Sequence, residues 1–368
     1  MKTFLFAALA VFMLVFSPLH AIESQTYQLG TINDLIIDGT NLYYFETDKK
    51  IESTTWIPDT RVRIDDGNQS WSLSEKLFIY PTELNQDQEN LYFAALSDVC
   101  IGQILCDYQD LYKISKNDGS ITILAKDLKS SVHLSVEDDS LYVSESSGNI
   151  WEIGKNGSKK LLVDANEIIM DLTSNRGKIY WIEEVADQNS NILTLDGVSP
   201  KVLVKDLKIP YDLTVQKGTL YWNEIEIRQK GNMFSEFTAI KAHDTKTSTL
   251  MEFQNTSPVS TSLGEANYGP YFVFDEYVFL VNNTNSDSVI HMVNLQNSTK
   301  YDIDTVSGYD AKYLRTDGTN LVVIGKNEDG FVIERHTLPI KVPEFPVLLM
   351  VLPGAFAALI ILQRFLRN

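Results

Sequence analysis

The sequence predicts an all-β fold: a β-propeller of seven four-stranded blades, with six and eight as the neighbouring counts. Three observations predict it. A strand–turn–strand pattern recurs seven times at roughly propeller spacing, Asn/Asp-Gly turns recur at a fixed place within it, and no long helical periodicity appears before residue 345.

Each copy is an apolar strand, a turn holding Asp, Asn or Gly, and a second strand that opens apolar–aromatic. The first copy is Leu35-Ile-Ile-Asp-Gly-Thr-Asn-Leu42-Tyr43-Tyr44. The others centre on Leu91-Tyr92-Phe93, Leu141-Tyr142, Ile179-Tyr180-Trp181, Leu220-Tyr221-Trp222, Val278-Phe279 and Leu321-Val322-Val323. The leading apolar positions are separated by 49, 50, 38, 41, 58 and 43 residues, the length of a four-stranded blade.

The fourth repeat shows the whole unit. Strands are expected at 168–174, 178–184, 191–195 and 201–205, with the Asp196-Gly197 turn before the last. Matching turns are Asn117-Asp118-Gly119 and Asn156-Gly157. Outer strands such as 121–125 and 160–164 alternate apolar and polar residues. The seventh repeat has strands near 311–316, 320–325 and 331–337 but no outer strand of its own. The spare segment 25–30, ahead of the first inner strand, is expected to complete that blade and remove two open sheet edges. Three long connections, 46–61, 97–110 and 224–236, are read as loops on one face, two of them carrying Trp56 and Phe234.

Both chain ends fall outside this repeat. Residues 1–21 read as a secretory signal: Lys2, an apolar run over 4–16, then Ser17-Pro18-Leu19-His20-Ala21. Residues 345–362 are 18 residues without a charge, preceded by Glu344 and followed by Arg364 and Arg367, which reads as a C-terminal transmembrane helix with its end inside. The expected organisation is therefore a signal peptide at 1–21, a propeller at 22–341 held outside the cell, and a membrane anchor at 342–368.

Composition narrows the partners. With 31 basic and 49 acidic residues the formal charge is −18, the wrong sign for a nucleic-acid binder. Cys100 and Cys106, the two cysteines, share one predicted loop; outside the cell a local disulfide is the natural reading, with a metal pair as the alternative. His133 is placed on an inner strand, where it could face the channel, though packing or solvation is the commoner fate of such a residue. Asp164, Glu167, Glu265 and Asp310 lie near expected inner-strand starts, where oxygen ligands could hold calcium; a solvated acidic surface is the plainer reading, so no cofactor is expected. Asn-x-Ser/Thr acceptors at Asn68, Asn156, Asn255, Asn282 and Asn297 all fall in expected turns or loops, as in a surface glycoprotein. No HExxH, GxSxG or P-loop motif occurs.

Two resemblances add to this. Pro343-Glu344-Phe345-Pro346, the apolar span with Pro353-Gly354, and the terminal Arg364 and Arg367 resemble the archaeal PEF-CTERM and PEFG-CTERM sorting signals. That resemblance covers about the last 26 residues. It implies an archaeosortase-like processing partner and display on the outer face of the cytoplasmic membrane. Ile179-Tyr180-Trp181-Ile182-Glu183 and Leu220-Tyr221-Trp222-Asn223-Glu224 resemble the Tyr-Trp-Thr-Asp blades of the low-density lipoprotein receptor propellers and related bacterial extracellular propellers. Ile182 and Asn223 stand in place of Thr there, and Glu183 and Glu224 in place of Asp. The functional expectation is a cell-surface binding or interaction module for a protein or glycan. The alternatives are a hydrolase or lyase with a channel metal, which requires carboxylates, Asn or His to converge at the channel mouth, and a structural envelope component.

Overall fold

A computed structural model describes residues 21–26, 31–47, 59–101, 106–129, 132–165, 167–185, 189–195, 197, 199–230, 233–245, 250–254, 271–274, 277–283, 287–294, 299–307, 310–316, 320–327 and 330–338. These form seven antiparallel sheets, the blades of a propeller. From inner to outer strand, blade 1 is Thr31–Asp38, Asn41–Thr47, Asp59–Asp65 and Ser70–Ser72, with Phe78–Ile79 also pairing onto its third strand. Blade 2 is Thr82–Gln86, Asn90–Leu96, Tyr108–Ser115 and Ile121–Lys129. Blade 3 is Leu134–Glu137, Ser140–Ser144, Asn149–Gly154 and Lys159–Asp164. Blade 4 is Ile169–Asn175, Lys178–Val185, Asn189–Leu195 and Pro200–Lys208. Blade 5 is Pro210–Gln216, Thr219–Lys230, Met233–Asp244 and Leu250–Gln254. Blade 6 is Tyr271–Phe274, Tyr277–Asn283, Asp287–Asn294 and Lys300–Ser307.

Blade 7 closes the ring. Asp310–Thr316, Asn320–Asn327 and Gly330–Thr337 are joined by Ala21–Thr26, which pairs antiparallel with the third strand. A closing N-terminal strand was expected; it starts four residues earlier than the 25–30 segment. Arg335 reinforces the seam by donating to Asp65 Oδ1 at 2.9 Å and to the Thr40 carbonyl at 3.1 Å, both in blade 1.

The repeat pattern follows from how blades pack. Seven buried apolar clusters fill the seven interfaces between adjacent blades, including the one between blades 7 and 1. The second strand of each blade is covered on both faces, which is why it reads as a continuous apolar run rather than an alternation. Its leading residue packs against the preceding blade: Leu42 with Ile324, Leu91 with Val62, Leu220 with Ile182. The next residue packs against the following blade: Tyr43 with Phe93, Tyr180 with Trp222. Complete burial of a leucine or aromatic side chain contributes about 1.5–3 kcal/mol, and this two-sided burial repeats in every blade.

Polar contacts latch the opposite ends of the first three blades. Lys116 Nζ reaches Asp38 of blade 1 at 2.6 Å and the Gln86 side chain of blade 2 at 2.8 Å. Asp87 organises the first hairpin of blade 2. Its carboxylate accepts from the N–H groups of Glu89 and Asn90 at 2.8 and 2.7 Å and from the Tyr92 hydroxyl at 2.7 Å, and it pairs with Lys155 of blade 3 at 2.6 Å. Gly119 lies close by with φ +67°; a Cβ there would sit 2.0 Å from the Leu73 carbonyl oxygen, so only glycine fits.

Two expectations are corrected. Segment 224–236 is not a loop: the second and third strands of blade 5 pair without a break from Thr219↔Asp244 to Lys230↔Met233, because strand-type alternation continues through Ile225-Glu226-Ile227-Arg228. Asn282 lies in a strand, paired with Val289, not in a turn. Asn68 and Asn156 do occupy exposed turns, whereas Asn255 and Asn297 lie outside the described residues, as do residues 1–20, Trp56, Glu265 and Pro343, Glu344 and Phe345. Among the described residues no helix is long and apolar enough to cross a membrane; the expected C-terminal span lies outside them.

Candidate functional site

The inner strands line a central cavity of about 680 Å³. One position per blade faces it: Asp34, Glu83, His133, Asp171, Asp212, Phe272 and Tyr313 in blades 1 to 7. Each is followed by a buried apolar anchor, Leu35, Leu84, Leu134, Leu172, Leu213, Val273 or Leu314. In six of the seven repeats this residue lies eight positions before the leading apolar residue of the second strand. Two residues further along each strand, Ile36, Asn85, Ser135, Thr173, Thr214 and Arg315 form a second tier.

Register irregularities straddle this position in blades 1, 2 and 5, as between Thr82 and Asn85 and between Tyr211 and Thr214, and end at it in blades 4 and 7. Such bulges re-aim side chains next to functional sites. Glu83 and Asp212 go further, with φ of 59° and 54°. A left-handed conformation at a non-glycine residue costs roughly 1–3 kcal/mol and persists where the surroundings enforce it.

The lining forms a belt of inter-blade contacts. Asp34 accepts from its neighbour Leu35 N–H at 2.7 Å and from Leu84 N–H of blade 2 at 2.8 Å. Glu83 Oε1 meets His133 Nδ1 of blade 3 at 3.1 Å, and Ser135 meets Ser174 of blade 4 at 2.8 Å. Asp171 repeats the Asp34 arrangement, accepting from Leu172 N–H at 2.7 Å and Leu213 N–H of blade 5 at 2.6 Å. The Tyr271 hydroxyl donates to the Asp212 carbonyl, Arg315 lies 5.2 Å over the Phe272 ring, and the Tyr313 hydroxyl donates to the Ile32 carbonyl at 3.0 Å.

Crowding of these acids shifts their protonation. Burial raises Asp34 to about 6, against the opposing pull of Arg315 and the Leu84 N–H. Burial, then the charge of Glu83, raises Asp171 to about 7. Burial also raises Asp212. At His133 burial acts downward, but the hydrogen bond and charge of Glu83 and the charge of Asp171 outweigh it, so the ring is raised. A carboxylate on Nδ1 also fixes the tautomer and leaves Nε2 for proton transfer. Asn223 completes the group: it is 3% exposed, its Nδ2 donates to Asp212 Oδ2 at 3.2 Å, and its Oδ1 accepts no hydrogen bond among the described residues.

His133 was read from the sequence as a candidate channel residue, and it lines the channel. The acids expected there do not all do so. Asp164 is exposed at the end of an outer strand, and Glu167 is exposed on the connection before blade 4. The acids that converge, Asp34, Glu83, Asp171 and Asp212, were missed; the constant offset from the leading apolar residues is the signal that would have found them. Among the described residues no three His, Cys, Asp or Glu side chains are placed to hold one metal ion. His243, His291 and His336 lie on third strands, away from the channel. Glu183 and Glu224 accept the indole N–H of Trp181 and Trp222 at 3.3 and 3.4 Å within their own blades; carboxylate contacts between blades come from other acids, Asp34 and Asp171 among them. Cys100 and Cys106 form a disulfide at the edge of blade 2.

The fold and its lined channel define a closed, seven-bladed β-propeller with a polar central cavity. No protein-family model matches the sequence, and neither does any curated protein. The β-propeller domain of the Trilobed protease from Pyrococcus furiosus, described as having an open velcro topology, superposes with a TM-score of 0.58 at 10% identity, over 85% of this chain and 94% of that one. An oligogalacturonate lyase in complex with manganese gives 0.49 at 14% identity, over 82% and 80%. The nidogen/laminin complex gives 0.44 at 15% identity, over 67% and 90%. At these identities the likeness concerns the fold alone, and of the three it is the Pyrococcus propeller that supports it.

Proposed function

We propose that the protein is an exported, membrane-anchored propeller that presents its channel at the cell surface as a ligand-binding module. The observation that carries the binding role is the convergence of Asp34, Glu83, His133, Asp171, Asp212 and Asn223 on one cavity of about 680 Å³. A concave cavity with a few convergent polar groups, some of perturbed protonation, on a rigid scaffold is the usual starting hypothesis for a small-molecule site. Surface display rests on the sequence: the signal at 1–21 and the anchor at 342–368 with Pro343, Glu344 and Phe345, processed by an archaeosortase-like partner. The Cys100–Cys106 disulfide and the exposed acceptors Asn68 and Asn156 agree with an extracytoplasmic site. Labelling of an epitope inserted in the exposed turn at Asn68 on intact cells tests display, and failure to label until cells are lysed would refute it. Thermal-shift screening of the full chain and of Glu83→Gln against soluble glycans and amines tests the channel. A shift that is the same in both proteins would place binding elsewhere.

A hydrolase or lyase is the second reading, favoured by the Glu83–His133 pair at 3.1 Å. It predicts a turnover abolished in His133→Ala while ligand binding is retained.

A further inference from the structure

We propose that the channel takes an organic cation bearing two or more ammonium groups, held by Glu83, Asp171, Asp212 and the side-chain oxygen of Asn223. The inference rests on the channel-binding reading and names its ligand class. The lining holds four carboxylates, Asp34, Glu83, Asp171 and Asp212, against two permanent cations, Lys312 and Arg315, both on blade 7. Arg315 shows how this channel receives a cation: its guanidinium lies over the Phe272 ring at 5.2 Å, with Nη2 3.9 Å from Asp34. Across blades 2 to 5 the cationic partners are His133 beside Glu83 and the more distant Arg315 charge, which pulls on Asp212. Among the described residues no lysine or arginine forms an ion pair with Glu83, Asp171 or Asp212.

Acceptor positions remain open on that side. Glu83 uses Oε1 for His133 and Asp212 uses Oδ2 for Asn223, which leaves the second oxygen of each. Asn223 Oδ1 is an independent pointer: a buried amide oxygen in the cavity wall with no donor. A buried acceptor without a donor is costly, and a ligand N–H would satisfy it. The acceptors are too dispersed for three of the acids to ligate one metal ion. A molecule with several separated N–H⁺ groups spans them. Linear polyamines and oligomers of unacetylated glucosamine share that chemistry.

Isothermal titration of the full chain with spermidine and with glucosamine trimer tests this, with sorbitol, succinate and calcium chloride as the comparison probes. At least one ammonium probe is expected to bind one-to-one, and Glu83→Gln and Asp212→Asn should each weaken it about tenfold or more, as loss of a charged hydrogen-bond partner does. Glu75→Gln with Glu167→Gln, which removes two exposed charges, should leave affinity unchanged, and melting curves check that all variants fold. Whichever ammonium probe binds distinguishes polyamine from amino sugar. Equal weakening by the surface pair would mean diffuse attraction to an acidic protein and overturn the proposal. Uptake of sorbitol, succinate or calcium alone, sensitive to Glu83→Gln, would overturn the ammonium assignment and leave channel binding standing. No uptake of any probe would overturn the ammonium assignment and count against the channel as a site.

Discussion

Asp87→Asn isolates what one carboxylate contributes to joining blades 2 and 3. The amide keeps an oxygen for the Glu89 and Asn90 N–H groups but turns an –NH₂ toward Lys155 and the Tyr92 hydroxyl. Tyr92 is fully buried, so losing a charged acceptor there costs about 1.5 kcal/mol. Lys155 and Asp87 are 28% and 18% exposed, and their pair adds only about 0.5–1 kcal/mol after screening. The two turn hydrogen bonds fall from charged to neutral strength, roughly another 1 kcal/mol together. The expected loss at pH 7 is therefore about 3 kcal/mol, read by guanidinium denaturation followed through tryptophan fluorescence. Burial pushes the Asp87 carboxyl up, but Lys155, Tyr92 and the turn N–H groups outweigh it and hold it well below the usual range. A depressed folded-state value means the stabilisation is complete above the unfolded carboxyl value of about 4 and is lost as pH falls through the folded one. The gap between wild type and Asp87→Asn should thus narrow on acidification below about pH 4. A loss under about 0.5 kcal/mol at pH 7, or a gap that ignores pH, would refute the reasoning.

Three further outcomes are expected. In proton NMR, His133 titrates above an ordinary histidine, and Glu83→Gln brings it down; an unchanged ring in the variant would mean Glu83 does not hold it. Gly119→Ala forces Cβ into the Leu73 carbonyl and strains a positive φ, so it should destabilise by about 3 kcal/mol or more, and near-normal melting would show that the blade 1–2 junction relaxes freely. The Cys100–Cys106 bridge closes a short loop with a sequence separation of 6, worth about 2 kcal/mol on chain-entropy grounds; replacing both with alanine should lower stability by that amount, and no change would point to a denatured state already compact there.

The blade count was legible because second strands are buried on both faces. That requirement leaves Leu42-Tyr43, Leu91-Tyr92, Leu141-Tyr142 and Leu220-Tyr221 nearly identical. The channel ring faces water and a cavity, so no packing rule makes its members alike. Asp, Glu, His, Phe and Tyr share the position, and only their offset betrays it. Blade 6 hides even that, because its hairpin is two residues shorter and Phe272 lies six residues before Val278. The Glu224–Glu236 segment misled through its polar residues, although their alternation with Ile225 and Ile227 is a strand signature. Acids such as Asp164 were placed by proximity to a strand start, whereas channel access depends on the register within the strand.

The pairing of Ala21 with His336 and of Thr26 with Val332 has a consequence for how the molecule is made. Blade 7 is shared by residues 21–26 and 310–337, from opposite ends of the repeat array. The strand Ala21–Thr26 has no partner until Gly330–Thr337 is in place. Until then both flanks of the growing fan are raw, one at blade 1 and one at the newest blade. A chain that ends before blade 7 lacks the seam held by Arg335, Asp65 and Thr40. Ring closure thereby reports that all seven blades are in place, and an array lacking blade 7 would be left with open sheet edges.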